Sequence, residues 1–282
     1  MAREKKVWFI TGVSRGLGKS LAEAALANDD IVIGTSRSGE AEIIHSTGTL
    51  HLLPLDVSLR EQVREAVSRA QTLHGRLDVI VNNAGYGLLG AIETTSTAEA
   101  YDQLDTNFMG TMFVIQHALP FLRAQGHGHI INLSSIAGLA PVGGYGLYAA
   151  SKFAVEGLSV SLAHEVRHFG INVTVVEPGA FRTDFLSENS IRHTAKNISA
   201  YADSSGETIN RLRQYDGKQI GDPDLAARAI IEVVESPEPP LHLVLGSDAF
   251  ERATKMLTEF SAELSRWQAV SLSTDYQMTA AK

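Results

Sequence analysis

A tyrosine and a lysine four residues apart are the side chains of this sequence with the clearest chemical potential. Tyr148 and Lys152 fall in a segment, 147–169, whose apolar residues recur at helical spacing. Residues four apart share one face of a helix, so the phenol and the ammonium should point the same way. A positive charge about 4 Å away favours the phenolate by roughly 4 kcal/mol, less whatever burial takes back. The pair can therefore exchange a proton near neutral pH; a solvated helix face is the alternative.

A glycine-rich turn near the start of the chain could bind phosphate. It follows the apolar run 7–10 and precedes a helical segment at 19–28. Gly12, Gly16 and Gly18 are separated by three residues and then by one. Glycines let the backbone approach a pyrophosphate, and a helix N-terminus supplies free N–H groups and a partial positive charge. We predict a phosphate site here; a plain turn is the alternative.

Several further motifs lie between residues 7 and about 183. Together with the two above, they follow the same order along the chain as the motifs of the short-chain dehydrogenase/reductase family, which the sequence therefore resembles. Within that family the chain is most similar to NADP(H)-preferring carbonyl reductases and to the hydroxysteroid and retinol dehydrogenase branch. The matching residues are Thr11, Gly12, Gly16, Gly18, Asn82, Asn83, Ala84, Gly85, Asn107, Ser135, Tyr148, Lys152, Pro178 and Gly179.

The composition is that of an ordinary globular protein, with 282 residues, 44% hydrophobic and 20% charged. A net charge of −8 argues against nucleic acid or an anionic membrane as the main partner. The chain has no cysteine, which excludes disulfides and thiol chemistry. We find no secretory leader and no apolar run approaching 18 residues, so we expect a cytoplasmic protein.

Short apolar runs alternate with helical segments along the chain, which predicts an α/β fold. The expectation is a single domain, 1–282, with a Rossmann-type doubly wound sheet of seven parallel strands and helices on both faces. The resemblance implies the strand order 3-2-1-4-5-6-7. The predicted strands are 7–10, 31–35, 50–53, 79–81, 129–133, 173–176 and 241–245, and the predicted helices are 19–28, 60–74, 98–124, 148–169 and 222–235.

Two segments stand apart from this alternation. Residues 184–220 are polar and carry no strand signal, and the resemblance implies a lid over the substrate. Residues 248–270 have apolar side chains at alternate spacings of three and four, which predicts an amphipathic C-terminal helix. We favour packing of this stripe on its own domain, with a subunit contact or a cover over the substrate mouth as alternatives. The stripe comprises Phe250, Ala253, Leu257, Phe260, Leu264 and Trp267, and a loose tail is expected from about 271.

The end of the second predicted strand bears on the choice of cofactor. An enzyme built for NAD places an acidic residue there to bind the ribose hydroxyls. This chain has Ser36 followed by Arg37, and Arg15 lies in the glycine turn. Two guanidinium groups match the charge and geometry of a 2′-phosphate, which predicts NADP(H). Each arginine could instead be an ordinary surface charge.

The resemblance assigns the other cofactor contacts. It places Asp56 and Val57 at the adenine, and Phe181 and Thr183 at the nicotinamide carboxamide. The alternative interpretation of the Asn-Asn-Ala-Gly run at 82–85 is an ordinary turn without a role in binding. The full predicted cofactor set is Gly12, Ser14, Arg15, Gly16, Leu17, Gly18, Ser36, Arg37, Asp56, Val57, Asn83, Ala84, Gly85, Tyr148, Lys152, Pro178, Gly179, Phe181 and Thr183.

The resemblance also implies a mechanism, in which hydride passes from the nicotinamide to a carbonyl carbon. Ser135 holds the carbonyl oxygen and Tyr148 gives it a proton. Lys152 lowers the Tyr148 pKa and binds the nicotinamide ribose. Asn107, expected to interrupt a helix, positions a water. Ser134 is the neighbouring alternative to Ser135.

Few residues of the sequence indicate what the substrate is. Tyr145 is a less suitable proton donor than Tyr148, because Ala149 and not a lysine stands four residues after it. Ser135, Val142, Tyr145 and Phe185 are the predicted substrate contacts, and they favour an apolar or aromatic ketone. We predict no metal site, because the pair His164 and His168 is expected on a solvated helix face.

Two other functions remain open. One is a dinucleotide-binding regulator without turnover, and the other is a sugar-nucleotide epimerase on a related fold. The segments 98–124 and 148–169 carry apolar residues on more than one face. In the family these helices pair across a two-fold axis, so we expect a homodimer or homotetramer.

Overall fold

The computed structural model describes residues 3–187 and 190–276, and its centre is a seven-stranded sheet in which every neighbouring pair is parallel. The order is β3-β2-β1-β4-β6-β7-β9, which confirms the predicted sheet. A separate parallel pair joins β5 to β8. The strands are β1 Val7–Thr11, β2 Ile31–Ser36, β3 Thr49–Pro54, β4 Val79–Asn82, β5 Gly87–Leu89, β6 Gly128–Leu133, β7 Ile171–Pro178, β8 Ile191–His193 and β9 His242–Leu245.

Helices cover both faces of the large sheet. They are α1 Gly16–Ala27, α2 Arg60–His74, α3 Thr97–Leu104, α4 Gly110–Gln125, α5 Gly146–Val166, α6 Glu207–Tyr215, α7 Pro223–Glu235 and α8 Ser247–Leu272. Along β1, Phe9 packs in the cluster that includes α2, α4 and α5, whereas Trp8 and Ile10 pack in the cluster that includes α1 and α7. Successive strand residues point to opposite faces. A strand buried on both faces is therefore expected to be mainly apolar, as the first four residues of β1 are.

The order of the strands places a crevice beside β1. The chain builds outward from β1 to β2 and β3 on one side, and to β4, β6, β7 and β9 on the other. Ligands of doubly wound sheets bind beyond the carboxyl ends of the strands, where the order reverses. The segments that follow β1, β4, β6 and β7 carry most of the predicted site residues.

The long helix predicted at 98–124 is interrupted in the middle. The segment Asp105–Met109 forms a single π-helical turn between α3 and α4, and Asn107 is buried in it. Such turns are rare and frequently lie at functional sites. The predicted interruption at Asn107 is therefore confirmed.

The segment 184–220 departs from its prediction. It was expected to lack a strand, but its residues Ile191–His193 form β8 and pair with β5, and its residues Glu207–Tyr215 form α6. A strand of three residues is too short to produce a period of two, and α6 buries none of its side chains fully. Periodicity therefore could not reveal β8, whereas the helical spacing of Ile209 and Leu212 does indicate α6.

The C-terminal helix is present as predicted, but most of its apolar stripe does not pack on its own domain. In α8 only Ala249 and Ala253 are buried, and the large apolar side chains along the rest of the stripe are exposed. Packing on its own domain is therefore wrong beyond the first two turns. An apolar stripe in the sequence predicts that one face of a helix is apolar, but it does not identify the surface that covers this face. The end of the predicted tail, 277–282, lies outside the described residues. Within the described ranges, no helix is both long and apolar enough to span a bilayer.

Candidate active site

Tyr148 and Lys152 lie one turn apart near the start of α5, and both are buried. Ser135 follows the end of β6, and its hydroxyl lies close enough to the Tyr148 phenol to lower the pKa of that group. The Ser135 Oγ also accepts a hydrogen bond from the backbone N–H of Ala137, at 3.1 Å, which fixes its rotamer. The structure therefore brings the predicted serine, tyrosine and lysine together.

Burial controls the protonation of this group. It raises the pKa of Tyr148 to about 12, and the Ser135 hydroxyl only partly opposes the rise. It lowers the pKa of Lys152 to about 8. The Lys152 Nζ lies 5.8 Å from the centroid of the Tyr148 ring and donates a hydrogen bond to the Leu133 carbonyl. The predicted lowering of the Tyr148 pKa is therefore wrong for this structure, because burial of the phenol raises that pKa.

Asn107 holds a loop rather than facing the open cleft. Its Oδ1 accepts from the backbone N–H of Tyr86 at 3.1 Å, and its Nδ2 donates to the Tyr86 carbonyl at 3.0 Å and to Ser151 Oγ at 3.1 Å. A Cβ on Gly85 would lie 3.0 Å from Asn107 Oδ1 and 3.8 Å from Lys152 Nζ. Asn107 thus fixes the Gly85–Tyr86 backbone beside the lysine.

The glycine turn after β1 is braced from β4. Gly12 and Gly16 have positive φ angles of 75° and 60°, which glycine adopts without strain. The Nδ2 of Asn83 donates to the carbonyls of Thr11 and Gly12, each at 2.9 Å. A Cβ on Gly18 would overlap that amide and the Gly12 carbonyl. Gly18 is therefore required for packing of the turn.

The residues predicted to choose the cofactor lie where expected. Ser36 ends β2, and its hydroxyl donates to the Glu40 carbonyl at 2.7 Å. Arg37 is exposed, and it borders the same cleft as Arg15. No acidic side chain occupies the end of β2 in this chain.

One cleft of about 580 Å³ connects these groups. Gly18 and Asn107 lie behind its wall, as the contacts above show. The predicted site residues that border the cleft are Gly12, Ser14, Arg15, Gly16, Leu17, Ser36, Arg37, Asp56, Val57, Asn83, Ala84, Gly85, Ser135, Val142, Tyr145, Tyr148, Lys152, Pro178, Gly179, Phe181, Thr183 and Phe185.

Aromatic rings form the wall around Tyr148. The ring centroids of Tyr145 and Phe185 each lie 5.7 Å from that of Tyr148. Burial raises the pKa of the Tyr145 phenol, which keeps it neutral. Leu186 and Leu212, from the 184–220 segment, pack in the same cluster. This end of the cleft is therefore lined by apolar and aromatic groups.

Sequence reasoning missed several charged residues that border the cleft, among them Arg192, Asp248 and Arg252. Asp248 Oδ2 accepts from the backbone N–H of Ala180 at 2.9 Å, which holds the turn after β7. Arg252 donates to the Ala140 carbonyl. The Arg192 guanidinium lies 4.3 Å from the centroid of the Tyr86 ring. Each contact joins segments that lie far apart in the chain, so no local sequence pattern could have predicted it.

Comparison with known proteins agrees with this geometry. A family model described as short chain dehydrogenase matches residues 6–193. The chain is 39% identical over 271 residues to "Oxidoreductase BOA17" of Botryotinia fuckeliana (strain B05.10), covering 95% of this chain and 98% of that one. It is 34% identical over 260 residues to human "Retinol dehydrogenase 8", covering 86% of this chain and 81% of that one.

A solved structure shares the whole fold. It is the crystal structure of a short-chain dehydrogenase from Streptomyces avermitilis, which is 38% identical, with a TM-score of 0.88. The match covers 98% of this chain and 100% of that one. The fold of these enzymes binds nicotinamide cofactors, and the cleft described above lies at the position that such a cofactor requires. The chain is therefore an oxidoreductase that belongs to the short-chain dehydrogenase/reductase family.

Proposed function

We propose that this oxidoreductase reduces a ketone or an aldehyde to the alcohol with NADPH, and catalyses the reverse oxidation with NADP⁺. The observation that carries the proposal is that Ser135, Tyr148 and Lys152 border one cleft, with the Ser135 hydroxyl near enough to the Tyr148 phenol to lower its pKa. This pair lies between the glycine turn at one end of the cleft and the aromatic wall at the other. A proton donor stands where a carbonyl group and a dinucleotide could meet.

The residues act on the oxygen of the substrate, while the cofactor, when bound, supplies or accepts the hydride. Ser135 donates a hydrogen bond to the carbonyl oxygen. Tyr148 transfers its phenolic proton to the same oxygen as negative charge develops there. The Lys152 ammonium stabilises the phenolate that remains, because the charge lies in a buried and weakly polar environment. In the oxidation direction the same proton returns to Tyr148.

NADPH is preferred in this proposal because of the charges at the end of β2. Arg15 and Arg37 border the cleft there, and Ser36 stands where an NAD enzyme places a carboxylate. A 2′-phosphate carries close to two negative charges, which two guanidinium groups can bind in a bidentate manner. Asp56 and Val57 would contact the adenine, and Phe181 and Thr183 would contact the nicotinamide carboxamide.

The substrate we propose is an apolar or aromatic carbonyl compound. The Tyr145 and Phe185 rings flank Tyr148, and Leu186, Leu212 and their neighbours extend this wall. A hydrophobic wall favours an apolar ligand in proportion to the area it buries. The similarity to human retinol dehydrogenase 8, whose named substrate is an apolar alcohol, supports the same class.

We also propose a homodimer or homotetramer that pairs α4 and α5. Phe153 on α5 is 47% exposed, and Phe113, Leu119 and Leu158 are only partly buried. Light scattering at micromolar protein should give at least twice the monomer mass of 30.4 kDa. A monomeric mass would contradict this proposal.

Oxidation of NADPH with a panel of ketones and aldehydes tests the activity. The panel should include small polar, aromatic and long-chain apolar carbonyl compounds. We expect turnover, fastest with the apolar and aromatic members. A regulator without turnover would oxidise none of them, and an epimerase would interconvert sugar nucleotides without net consumption of NADPH.

A further inference from the structure

Two glutamates and a histidine converge behind Lys152, outside the cleft. Glu156 follows Lys152 by one turn on α5, Glu177 lies near the end of β7, and His242 begins β9. Val175 pairs with His242 across the two strands, so Glu177 is two residues further along and on the same face of the sheet. The fold thus brings three ligand-type side chains to one point from three elements.

The donor atoms are close enough to share one ion. His242 Nδ1 lies 2.7 Å from Glu177 Oε1 and 3.8 Å from Glu156 Oε2, and one ligand atom from each residue lies within 4.8 Å of the others. The Glu177 side chain is fully buried, that of Glu156 is 9% exposed and that of His242 is 45% exposed. The imidazole therefore forms the solvent side of the group, and the carboxylates form its floor.

Among the described residues, three of the four carboxylate oxygens lack a hydrogen-bond partner of ordinary geometry. These are both oxygens of Glu156 and one oxygen of Glu177. Burial raises the pKa of each to about 7, although the Ser134 hydroxyl opposes this for Glu156 and the Leu243 backbone N–H opposes it for Glu177. Repulsion between the two glutamates raises that of Glu156 further. Buried, unpaired carboxylates are costly, so a cation at this point would relieve a real deficit.

The cations already nearby do not meet that need. The Lys152 ammonium is committed to the Leu133 carbonyl at 2.7 Å. His242 can carry only one charge, and its Nδ1 contacts Glu177 more closely than Glu156. Two carboxylates and at most one imidazolium leave the group with a net negative charge when both acids are ionised.

We propose that Glu156, Glu177 and His242 bind a divalent transition-metal ion, with Zn²⁺ as the best match. Zinc takes imidazole nitrogen and carboxylate oxygen at about 2.0–2.2 Å, usually in tetrahedral geometry. Tetrahedral ligands at that range stand roughly 3.4 Å apart, between the 2.7 Å and 3.8 Å found here. Mg²⁺ fits less well, because it prefers oxygen ligands and keeps several waters.

The exposed edge of the imidazole offers an entry path and leaves a fourth position for water. None of the three residues is among the described residues that border the cleft, so the ion would be structural. It would tie α5, which carries Tyr148 and Lys152, to the edge strand β9. Binding would displace the proton from Nδ1 and any proton held by the glutamates.

Metal uptake by the full chain tests the site. Protein stripped with a chelator and returned to buffer is titrated with ZnCl₂, in a calorimeter and in thermal melts, with MgCl₂ in parallel. We expect one equivalent of zinc, a higher melting temperature and little response to magnesium. Affinity should fall by about tenfold or more from pH 7.5 to pH 6.0, because protons then compete for the carboxylates. Uptake of no zinc by the folded chain would overturn the proposal.

Matched variants locate the ion. His242→Gln and Glu156→Gln should each lose the stoichiometric site, and the second keeps the shape of the side chain. His164→Gln is the control, since His164 near the end of α5 and His168 in the turn after it are both exposed and could bind zinc weakly. Loss of uptake in His164→Gln with retention in His242→Gln would overturn the proposal. Circular dichroism of each metal-free variant establishes that it is folded. If His242→Gln does not fold, the zinc uptake of Glu156→Gln tests the proposal instead.

Discussion

Lys152 donates its hydrogen bond to the Leu133 carbonyl, 2.7 Å away, while the centroid of the Tyr148 ring lies 5.8 Å from the same Nζ. The lysine is therefore held at the end of β6 by the backbone of the sheet, and not by the phenol. Its position depends on the fold, and it stands ready to interact with a group that enters the cleft. Lys152 should accordingly matter for cofactor binding as well as for the proton.

Replacement of Lys152 by alanine should show both effects. We expect weaker NADPH binding and a lower kcat, because one ammonium serves the cofactor and the phenolate. Fluorescence titration of NADPH and steady-state kinetics measure the two separately. Lys152→Arg keeps the charge and is the matched control. A variant that loses kcat while binding NADPH with native affinity would contradict the cofactor role.

Cofactor preference should follow the arginines. Each charge-assisted hydrogen bond to the 2′-phosphate contributes about 1.5–3 kcal/mol, and exposure of Arg37 favours the lower end. NADPH should exceed NADH by roughly a hundredfold in kcat/KM, or about 2.7 kcal/mol, and the ratio should fall with added salt.

The double change Ser36→Asp with Arg37→Ala should reverse that preference. The new carboxylate would repel the phosphate and accept from the ribose hydroxyls of NADH. Kinetics with both cofactors at equal low concentration give the ratio. If the native enzyme uses NADH as well as NADPH, Arg15 and Arg37 are not phosphate ligands.

Gly18→Ala should disrupt the glycine turn. The added Cβ would overlap the Asn83 amide, which holds the Thr11 and Gly12 carbonyls, so we expect weaker NADPH binding together with a lower melting temperature. Gly157→Ala is the control for NADPH binding, because Gly157 does not border the cleft and a Cβ there meets no atom of another element of the chain within 4 Å. NADPH affinity in this variant should be native. Native cofactor affinity in Gly18→Ala would refute the packing argument.

Stability should depend on pH through Glu156. Its pKa is about 7 in the folded chain against a usual 4.5, so the folded state holds a proton that the unfolded state releases between those values. The contribution of Glu156 to the free energy of unfolding is therefore most favourable below pH 4.5, and it is lost as the pH rises through 7. Urea melts of chelator-treated protein at pH 5.0 and 7.5 should show Glu156→Gln gaining on the native chain by about 1–3 kcal/mol at the higher pH. An unchanged difference would contradict the assigned pKa.

Much of the fold could be predicted because its signals are local. A parallel strand covered on both faces is expected to be mainly apolar, and β1, β2 and β4 each begin with at least three consecutive apolar residues. The interruption at Asn107 followed from a residue poorly suited to a helix interior. β8 escaped notice because three residues are too few to show a period.

The site was predictable where motif and geometry coincide, and unpredictable where burial or distant contacts decide. Tyr148 and Lys152 are identified by their helical spacing, and Ser135 by the resemblance to the family. The direction of the Tyr148 pKa shift is not, because it depends on desolvation by side chains such as Phe185, from another segment. Asp248 reaches the turn after β7 only because the edge of the sheet brings α8 beside it.

The central claim is that Tyr148 is the proton donor of an NADPH-dependent carbonyl reduction. Tyr148→Phe keeps the ring and removes the hydroxyl, so single-turnover oxidation of bound NADPH by the best ketone of the panel tests it most directly. We predict a rate at least about a hundredfold lower than that of the native enzyme, with NADPH affinity nearly unchanged. Tyr145→Phe should retain a rate much closer to native. A Tyr148→Phe enzyme that turns over at a near-native rate would contradict the account.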